Sequence, residues 1–175
     1  MKILPRAATV LAAATTIAAA ALLGLGATPA SAASGSGFAV RVAPLSNPLL
    51  TVEVRGASQD WGASVDQWTL NGGSNQVWTF SPVNGGFQII NRNSGQCLTT
   101  DGVAGSTVYQ FPCVGATTQT WWTSITPGNT VAYSIQSAYS GLYLDVNGGS
   151  PWQGAAIDTW YWNGGSNQYF LATSA

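Results

Sequence analysis

The six residues Asn-Gly-Gly-Ser-Asn-Gln occur twice in this chain, at 71–76 and at 163–168. In both copies a tryptophan stands three residues before the first asparagine, and an aromatic residue stands two positions after the glutamine. A third, more divergent copy at 111–121 ends in Gln-Thr-Trp. The three glutamines, Gln76, Gln119 and Gln168, are 43 and 49 residues apart. Three copies of one unit indicate a repeat architecture, so the fold must place three similar units side by side.

Each unit contains four short segments that are typical of β-strands. The first strand is predicted at 38–42, 87–91 and 133–137, where apolar residues alternate with polar ones. Two further strands follow after turn residues, at 51–54 and 65–68, at 97–100 and 108–111, and at 143–146 and 157–160. A fourth begins near each Gln-x-aromatic motif, and no window combines helical periodicity with capping signals. We therefore predict an all-β fold of twelve strands, in repeats of about 38–80, 81–125 and 126–175.

The N-terminal residues are typical of an export signal. Two cations, Lys2 and Arg6, precede an apolar run at 7–26, and Ala-Ser-Ala at 30–32 matches a signal-peptidase site. We expect residues 1–32 to be a removed signal peptide, 33–37 a flexible tail, and 38–175 the folded domain of a secreted, extracellular protein. The alternative is a membrane anchor, which the threonines and glycines in the run and the cleavage pattern disfavour.

The charge balance excludes some partners. Cleavage would remove two of the five cations and leave three arginines against six acidic residues, a net charge of −3. A nucleic-acid binder needs a positive surface, and so does attraction to anionic lipids. We therefore expect no nucleic-acid partner and no membrane insertion. The eight tryptophans and few charges suit a binder of neutral polar ligands, but they also suit a rigid β core.

Cys97 and Cys113 are the only cysteines, and two cysteines in an exported chain are expected to form a disulfide. Closing this loop is worth about 3 kcal/mol in the chain-entropy model. The alternative is a pair of free or metal-binding thiols. There is no histidine, which excludes imidazole metal ligands and histidine-based catalytic triads.

The three Gln-x-aromatic motifs, spaced at just over forty residues, resemble those of the ricin B-chain type lectin family. The resemblance covers residues 38 to about 171 and is most specific in the third repeat. It implies a β-trefoil with three four-stranded repeats and pseudo-three-fold symmetry. It also implies a non-catalytic lectin without a cofactor, whose sites use an Asp on the second strand, an aromatic on the third and an Asn near the Gln-x-Trp end. A sugar stacks its C–H face on the aromatic ring and bonds its hydroxyls to the polar groups.

The resemblance assigns carbohydrate-binding residues in two repeats. In the third repeat they are Asp145, Asp158, Trp160, Asn167 and Gln168. In the first repeat they are Glu53, Asp66, Trp68, Asn75 and Gln76. Glu in place of Asp adds a methylene, which can re-aim the carboxylate and weaken the first site. We expect the middle repeat to be structural, because Thr99, Phe111 and Thr118 replace its Asp, Trp and Asn; Asp101 is a substitute two residues out of register.

For the remaining repeat residues, the sequence predicts roles in the core, in the loops and beside the sugar site. We expect Trp78, Trp121 and Phe170 in the core, and the three glutamines as ties of the loop backbone. We expect the Gly-Gly pairs to supply positive-φ turns. The cysteine pair of the second repeat is replaced by Thr51 and Leu70 in the first and by Tyr143 and Trp162 in the third, where an aromatic contact should substitute for the bridge. Trp61 and Trp152 are expected to form a second wall for the sugar within their own repeats.

Several functions remain open from the sequence. A lectin for galactose-type or xylose-type glycans is favoured, acting alone or with a separate secreted enzyme. The acid pairs also permit a glycoside hydrolase or a Ca²⁺-assisted site, although the resemblance implies neither. A trefoil that binds proteins, such as a protease inhibitor, is the main alternative. Such a protein has no reason to keep Asp, Trp and Asn-Gln in register in two repeats.

Overall fold

The computed structural model describes residues 36–125 and 132–175. Its twelve strands fall where the repeat pattern predicts them. They are β1 (Phe38–Pro44), β2 (Leu50–Val54), β3 (Val65–Thr69), β4 (Trp78–Val83), β5 (Gly86–Asn91), β6 (Cys97–Thr99), β7 (Tyr109–Phe111), β8 (Trp121–Ile125), β9 (Ala132–Ser137), β10 (Tyr143–Val146), β11 (Ile157–Trp160) and β12 (Phe170–Ser174). The predicted signal peptide at 1–32 lies outside the described residues. Within the described ranges, no helix has the length and apolar character needed to cross a membrane.

The outer strands of the three repeats close a six-stranded antiparallel barrel. Pairing runs from β1 to β4, then through β5, β8, β9 and β12, and returns to β1. The inner strands of each repeat pair with each other as β2–β3, β6–β7 and β10–β11. Closure removes the unpaired edges of the barrel sheet. This arrangement confirms the predicted β-trefoil.

One apolar core fills the space between the barrel and the hairpins, and each repeat contributes equivalent residues to it. The aromatic residues of the three Gln-x-aromatic motifs, Trp78, Trp121 and Phe170, are at most 1% exposed, as predicted. Trp78 donates its indole N–H to the carbonyl of Val52 at 2.9 Å, and Trp121 does the same to Leu98 at 3.0 Å. These bonds satisfy the polar atom of each buried indole and join the fourth strand of a repeat to its second.

The three glutamines tie their loops together as predicted, from within short 3₁₀ turns that the sequence did not predict: Ser74–Gln76, Thr117–Gln119 and Ser166–Gln168. Each side-chain oxygen accepts a backbone N–H at 2.9 Å from the residue that starts the loop, which is Asn71, Val114 or Asn163. Each amide nitrogen donates to the carbonyl two residues before that residue, which belongs to Thr69, Pro112 or Tyr161. The loop is therefore held from both sides by one buried side chain.

The contact that links the second strand of a repeat to the loop after its third strand differs between the second and third repeats, as predicted. Cys97 and Cys113 form a disulfide in the second repeat. In the third, the rings of Tyr143 and Trp162 lie 4.6 Å apart between centroids. Trp162 also meets Tyr169 edge-on at 5.2 Å, so an aromatic cluster occupies the position of the bridge.

The two adjacent tryptophans of β8 offer a test of the core. Trp121 is 0% exposed, whereas Trp122 is 44% exposed. We expect Trp121→Ala to lower the free energy of unfolding by about 3–5 kcal/mol, because it leaves a large cavity in the core. Trp122→Ala is the matched control and should cost about 1 kcal/mol or less. Urea denaturation followed by circular dichroism measures both, and equal losses would contradict this core assignment.

Candidate functional site

The hairpin of the third repeat places two buried carboxylates side by side. Asp145 on β10 lies directly opposite Asp158 on β11, and they are 3% and 2% exposed. Asn167 donates its amide N–H to Asp145 Oδ2 at 2.7 Å, and Asn147 donates to Asp158 Oδ2 at 2.7 Å. The hydrogen bonds from the two amides offset part of the free-energy cost of burying two like charges on neighbouring strands.

These carboxylates form the floor of an open cleft of about 510 Å³. Its wall includes Trp160, which ends β11 and is 43% exposed, and the asparagine of the Gln-x-aromatic loop. The lining is Asp145, Asn147, Gly148, Gly149, Asp158, Trp160, Asn163 and Asn167. Four of the five predicted site residues of this repeat are therefore brought together around one cavity. The cleft combines hydrogen-bond acceptors, amide donors and one exposed aromatic face.

The first repeat builds an equivalent cleft of about 590 Å³. Glu53 on β2 lies opposite Asp66 on β3, and they are 4% and 1% exposed. Trp68, 37% exposed, supplies the aromatic face. The lining is Glu53, Arg55, Gly56, Ala57, Asp66, Trp68, Asn71, Asn75 and Gly154. Here too, four of the five predicted residues share one cavity.

The extra methylene of Glu53 changes how its carboxylate is held. Gln76 donates to Glu53 Oε2 at 2.7 Å, and Asn75 donates instead to the carbonyl of Val54 at 3.0 Å. In the third repeat the equivalent Asn167 bonds the carboxylate itself at 2.7 Å. The longer side chain thus reaches past the asparagine to the buried glutamine, so the re-aiming predicted from the sequence is visible in the bonding.

Gln76 and Gln168 are each 0% exposed and line neither cleft. They were predicted both as loop ties and as ligand contacts, and the structure places them behind the carboxylates. Gln76 supports Glu53 directly. A ligand in either cleft meets the carboxylate before it can reach the glutamine. The two glutamines therefore lie where they can support the site and not where they can contact a ligand.

Sequence reasoning missed the residue that contacts the second carboxylate in each cleft, at the position two residues after the first carboxylate. It is Arg55 in the first repeat and Asn147 in the third. Arg55 Nε lies 2.9 Å from Asp66 Oδ2, so it takes the role that Asn147 has toward Asp158. The shared offset from the first carboxylate was a signal in the sequence. The shared position did not indicate a shared role, because Arg and Asn are not interchangeable residue types.

The Gly-Gly pairs supply the predicted positive-φ turns through the first glycine of each pair, and the second glycine has a different role. Gly72 and Gly164 have φ of 80° and 72°. Gly73 and Gly165 have φ of −65° and −68°. A Cβ on either of these second glycines would collide with the side-chain oxygen of the cleft asparagine two residues later. The second glycine is therefore needed for space and the first for backbone conformation.

The middle repeat does not assemble an equivalent polar set. The Thr99 hydroxyl donates to the carbonyl of Cys97 at 2.9 Å and accepts from Gln119 at 3.2 Å. Asp101 accepts the backbone N–H of Val103 at 2.9 Å in an exposed turn, and so it does not replace the missing acid. These contacts are consistent with a structural role for this repeat, which stays a prediction.

The placement predicted for Trp61 and Trp152 is wrong. Trp61 lies against Phe111 of the second repeat, with ring centroids 5.8 Å apart, and it is not among the residues of the first cleft. The loop of Trp152 likewise binds the first repeat: Gln67 donates to its carbonyl at 2.7 Å. The loop between the inner strands of each repeat therefore packs on the third strand of the next repeat, which sequence order alone does not show.

Burial raises the pKa of all four cleft carboxyls. For Asp145 the pKa rises to about 6, chiefly through desolvation and further through the charge of Asp158, against the hydrogen bond from Asn167. Desolvation also raises the pKa of Glu53, with the charge of Asp66 adding to it. The pKa of Asp66 and of Asp158 is raised by desolvation as well, opposed by Arg55 and Asn147 respectively.

Within residues 36–125 and 132–175, no group of three or more His, Cys, Asp or Glu side chains is arranged to hold a metal ion. Each cleft instead contains two carboxylates with amide or guanidinium neighbours. The arrangement is suited to accepting hydrogen bonds from a neutral or partly charged polar ligand whose apolar face rests on the tryptophan.

Comparisons with known proteins agree with this architecture. The sequence profile described as "ricin-type beta-trefoil lectin domain-like" matches residues 32–107, 74–160 and 117–175. No match was found among the curated proteins. In the solved structures, the chain is similar to the designed three-fold symmetric protein ThreeFoil, with a TM-score of 0.74 and 26% identity over 78% of this chain and 99% of that one.

Two natural proteins add to this comparison. The exo-β-1,3-galactanase 1,3Gal43A of Clostridium thermocellum gives a TM-score of 0.73 and 27% identity over 78% of this chain, which spans only 30% of that protein. The ricin B-like lectin of Macrolepiota procera, solved in complex with lactose, gives a TM-score of 0.69 over 81% of this chain and 98% of that one. At 19% identity, the second likeness shows the fold alone.

The carboxyl of Asp145 provides a test of the cleft electrostatics. We expect a pKa of about 6 by ¹³C NMR titration of side-chain carboxyls. Asn167→Ala should raise it further, because the hydrogen bond from Asn167 favours the ionised form. An Asp145 pKa at the ordinary value of an exposed aspartate would contradict the burial and pairing described.

Proposed function

Because the chain belongs to the ricin-type β-trefoil lectin domain-like family, we propose that it is a secreted, non-catalytic lectin. We propose further that it binds galactose-type or xylose-type glycans through the clefts of its third and first repeats. One observation carries this proposal. The same set of two opposed carboxylates, a half-exposed tryptophan and a cleft asparagine is built twice, in register, on a pseudo-three-fold frame. The predicted signal peptide supports secretion.

A pyranose fits the chemistry of the third cleft. Asp145 Oδ2 accepts from Asn167, which leaves Oδ1 to accept from ligand hydroxyls. The Trp160 ring offers a flat apolar surface for the C–H face of the sugar. Asn163 and Asn167 also line the cleft, and their side-chain amides can donate or accept. Because the two amides already hold the acids in place, the ligand does not have to order the site.

One relative supports the galactose-type choice. The galactanase is 27% identical over the matched region, and its name gives a galactose polymer as its substrate. Each shallow site alone is expected to bind with a Kd from millimolar to high micromolar, roughly −4 to −6 kcal/mol. Two sites on one rigid body then increase avidity for a polymeric glycan.

A glycan array with residues 33–175 tests the proposal, with Asp145→Ala as the site variant and Asp101→Ala as the matched control. Asp145 lies in the cleft, whereas Asp101 is exposed in the middle repeat. Loss of charge-assisted hydrogen bonds should weaken binding at the third cleft about tenfold or more. Asp101→Ala should bind as the wild type does.

Equal binding by all three proteins would remove the third cleft from the proposal. If no glycan is bound at all, the lectin function is wrong, and protease inhibition becomes the next activity to assay. A reducing-sugar release assay on the glycans that bind tests the non-catalytic assignment, because the carboxylate pairs are also the groups that glycoside hydrolases use.

Binding at the third cleft should depend on pH. The ionised carboxylate is a stronger acceptor of hydroxyl hydrogen bonds than the protonated acid, and the pKa of Asp145 is about 6. Affinity is therefore expected to fall as the pH is lowered from 7 to 5, through protonation of Asp145, and to be recovered on return to pH 7. Isothermal titration calorimetry across this range measures it. An affinity that is constant or rises on acidification would contradict a role for the ionised acid.

A further inference from the structure

The two clefts share their architecture but differ in one charge. The position two residues after the first carboxylate holds Arg55 in the first repeat and Asn147 in the third. Both side chains donate to the second carboxylate of their hairpin, Asp66 and Asp158 respectively. Arginine stays protonated at any physiological pH, whereas asparagine is neutral. The first cleft therefore presents a permanent cation that the third one lacks.

The hydrogen-bonding capacity of Arg55 is only partly used. Its Nε donates to Asp66 at 2.9 Å, and its Nη2 donates to the carbonyl of Gly154 at 3.1 Å. A guanidinium has five N–H donors, so Nη1 and one N–H of Nη2 remain. The side chain is 55% exposed and lines the cleft. An acceptor on a bound ligand can therefore reach the Nη1 edge without displacing either contact.

The guanidinium of Arg55 is more exposed to solvent than the two carboxylates of its cleft. Asp66 and Glu53 are 1% and 4% exposed, so a ligand that enters from solvent meets the guanidinium first. Asp66 is paired with Arg55, and Glu53 is held by the buried Gln76. Gly154, which accepts from Arg55, is itself fixed by donating its N–H to the carbonyl of Gln67 at 2.7 Å. The guanidinium is thus oriented before any ligand binds, which lowers the entropy cost of using it.

We propose that the first-repeat cleft binds a sugar residue that bears a carboxylate, a hexuronic acid, and that the third-repeat cleft binds a neutral sugar. The inference rests on the proposed lectin function and adds the ligand class of each site. The ligand carboxylate lies at the Nη1 edge of Arg55, where arginine and carboxylate can form two parallel bonds. Its hydroxyls bond Glu53, and its ring stacks on Trp68. The chain then recognises two different residues of one acidic polysaccharide.

The indole N–H signals of Trp68 and Trp160 report the two clefts separately. We suggest ¹⁵N-tryptophan NMR titrations of the mature protein at 0.15 M salt, where non-specific attraction of charged ligands is reduced. The ligands are two matched pairs, galactose with galacturonate and xylose with glucuronate, and each pair differs by the carboxylate group. Trp68→Phe and Trp160→Phe variants assign the two signals.

We expect the uronate of at least one pair to shift Trp68 with a Kd about five- to tenfold below that of its neutral partner, as a charge-assisted contact provides. The Trp160 signal should prefer the neutral sugar. Arg55→Gln should remove the preference at Trp68 and leave the Trp160 response unchanged, which also shows that the variant is folded. Asn147→Arg, the reciprocal change, should give Trp160 a preference for the uronate.

Two results overturn the inference and leave the lectin function standing. One is a Trp68 response that does not distinguish uronate from neutral sugar. The other is a preference for uronate that persists in Arg55→Gln, with Arg55→Lys as the charge-retaining comparison. If neither indole responds to any of the four sugars, the inference fails together with the proposed monosaccharide specificity. The glycan array then decides whether the lectin function fails as well.

Discussion

The structure depends on one buried amide in each repeat. Gln76, Gln119 and Gln168 are at most 1% exposed, and each bonds the backbone of its loop on both sides. These loops have no regular strand or α-helix to satisfy their backbone groups, so the side chain does so instead. The loop then presents an asparagine to the cleft in the first and third repeats. Without the glutamine, the aromatic residue two positions later would also lose its fixed entry into the core.

The clefts exist because the hairpins place acids opposite each other in buried positions. Two neighbouring carboxylates in such a site are costly, and Asn147, Asn167 and Arg55 reduce this cost. The raised pKa of Asp145 reflects the part of this free-energy cost that the hydrogen bonds do not offset. An arrangement that sacrifices stability in this way, at the same place in two repeats, is typical of a binding site and not of a structural scaffold.

The sequence was sufficient for the fold and for most of the two clefts, because a repeated unit shows which residues are equivalent. The Tyr143–Trp162 contact followed from the position of the missing cysteines. The neighbours of Trp61 and Trp152 did not, since they are set by how the barrel closes and brings the loop of one repeat onto the next. Arg55 was missed for another reason: it shares its offset with Asn147, but the two residue types differ, and their common contact with the second carboxylate is seen only in the structure.

In the proposed function, the third-repeat cleft binds a sugar through Asp145 and Trp160. A crystal structure of the protein with the glycan that binds best on the array shows whether it does. We expect a pyranose ring stacked on Trp160, with adjacent hydroxyls donating to Asp145 and with Asn167 still bonded to that carboxylate. A glycan bound elsewhere, with this cleft empty and Asp145 without a ligand contact, would show that the third-repeat cleft is not the binding site.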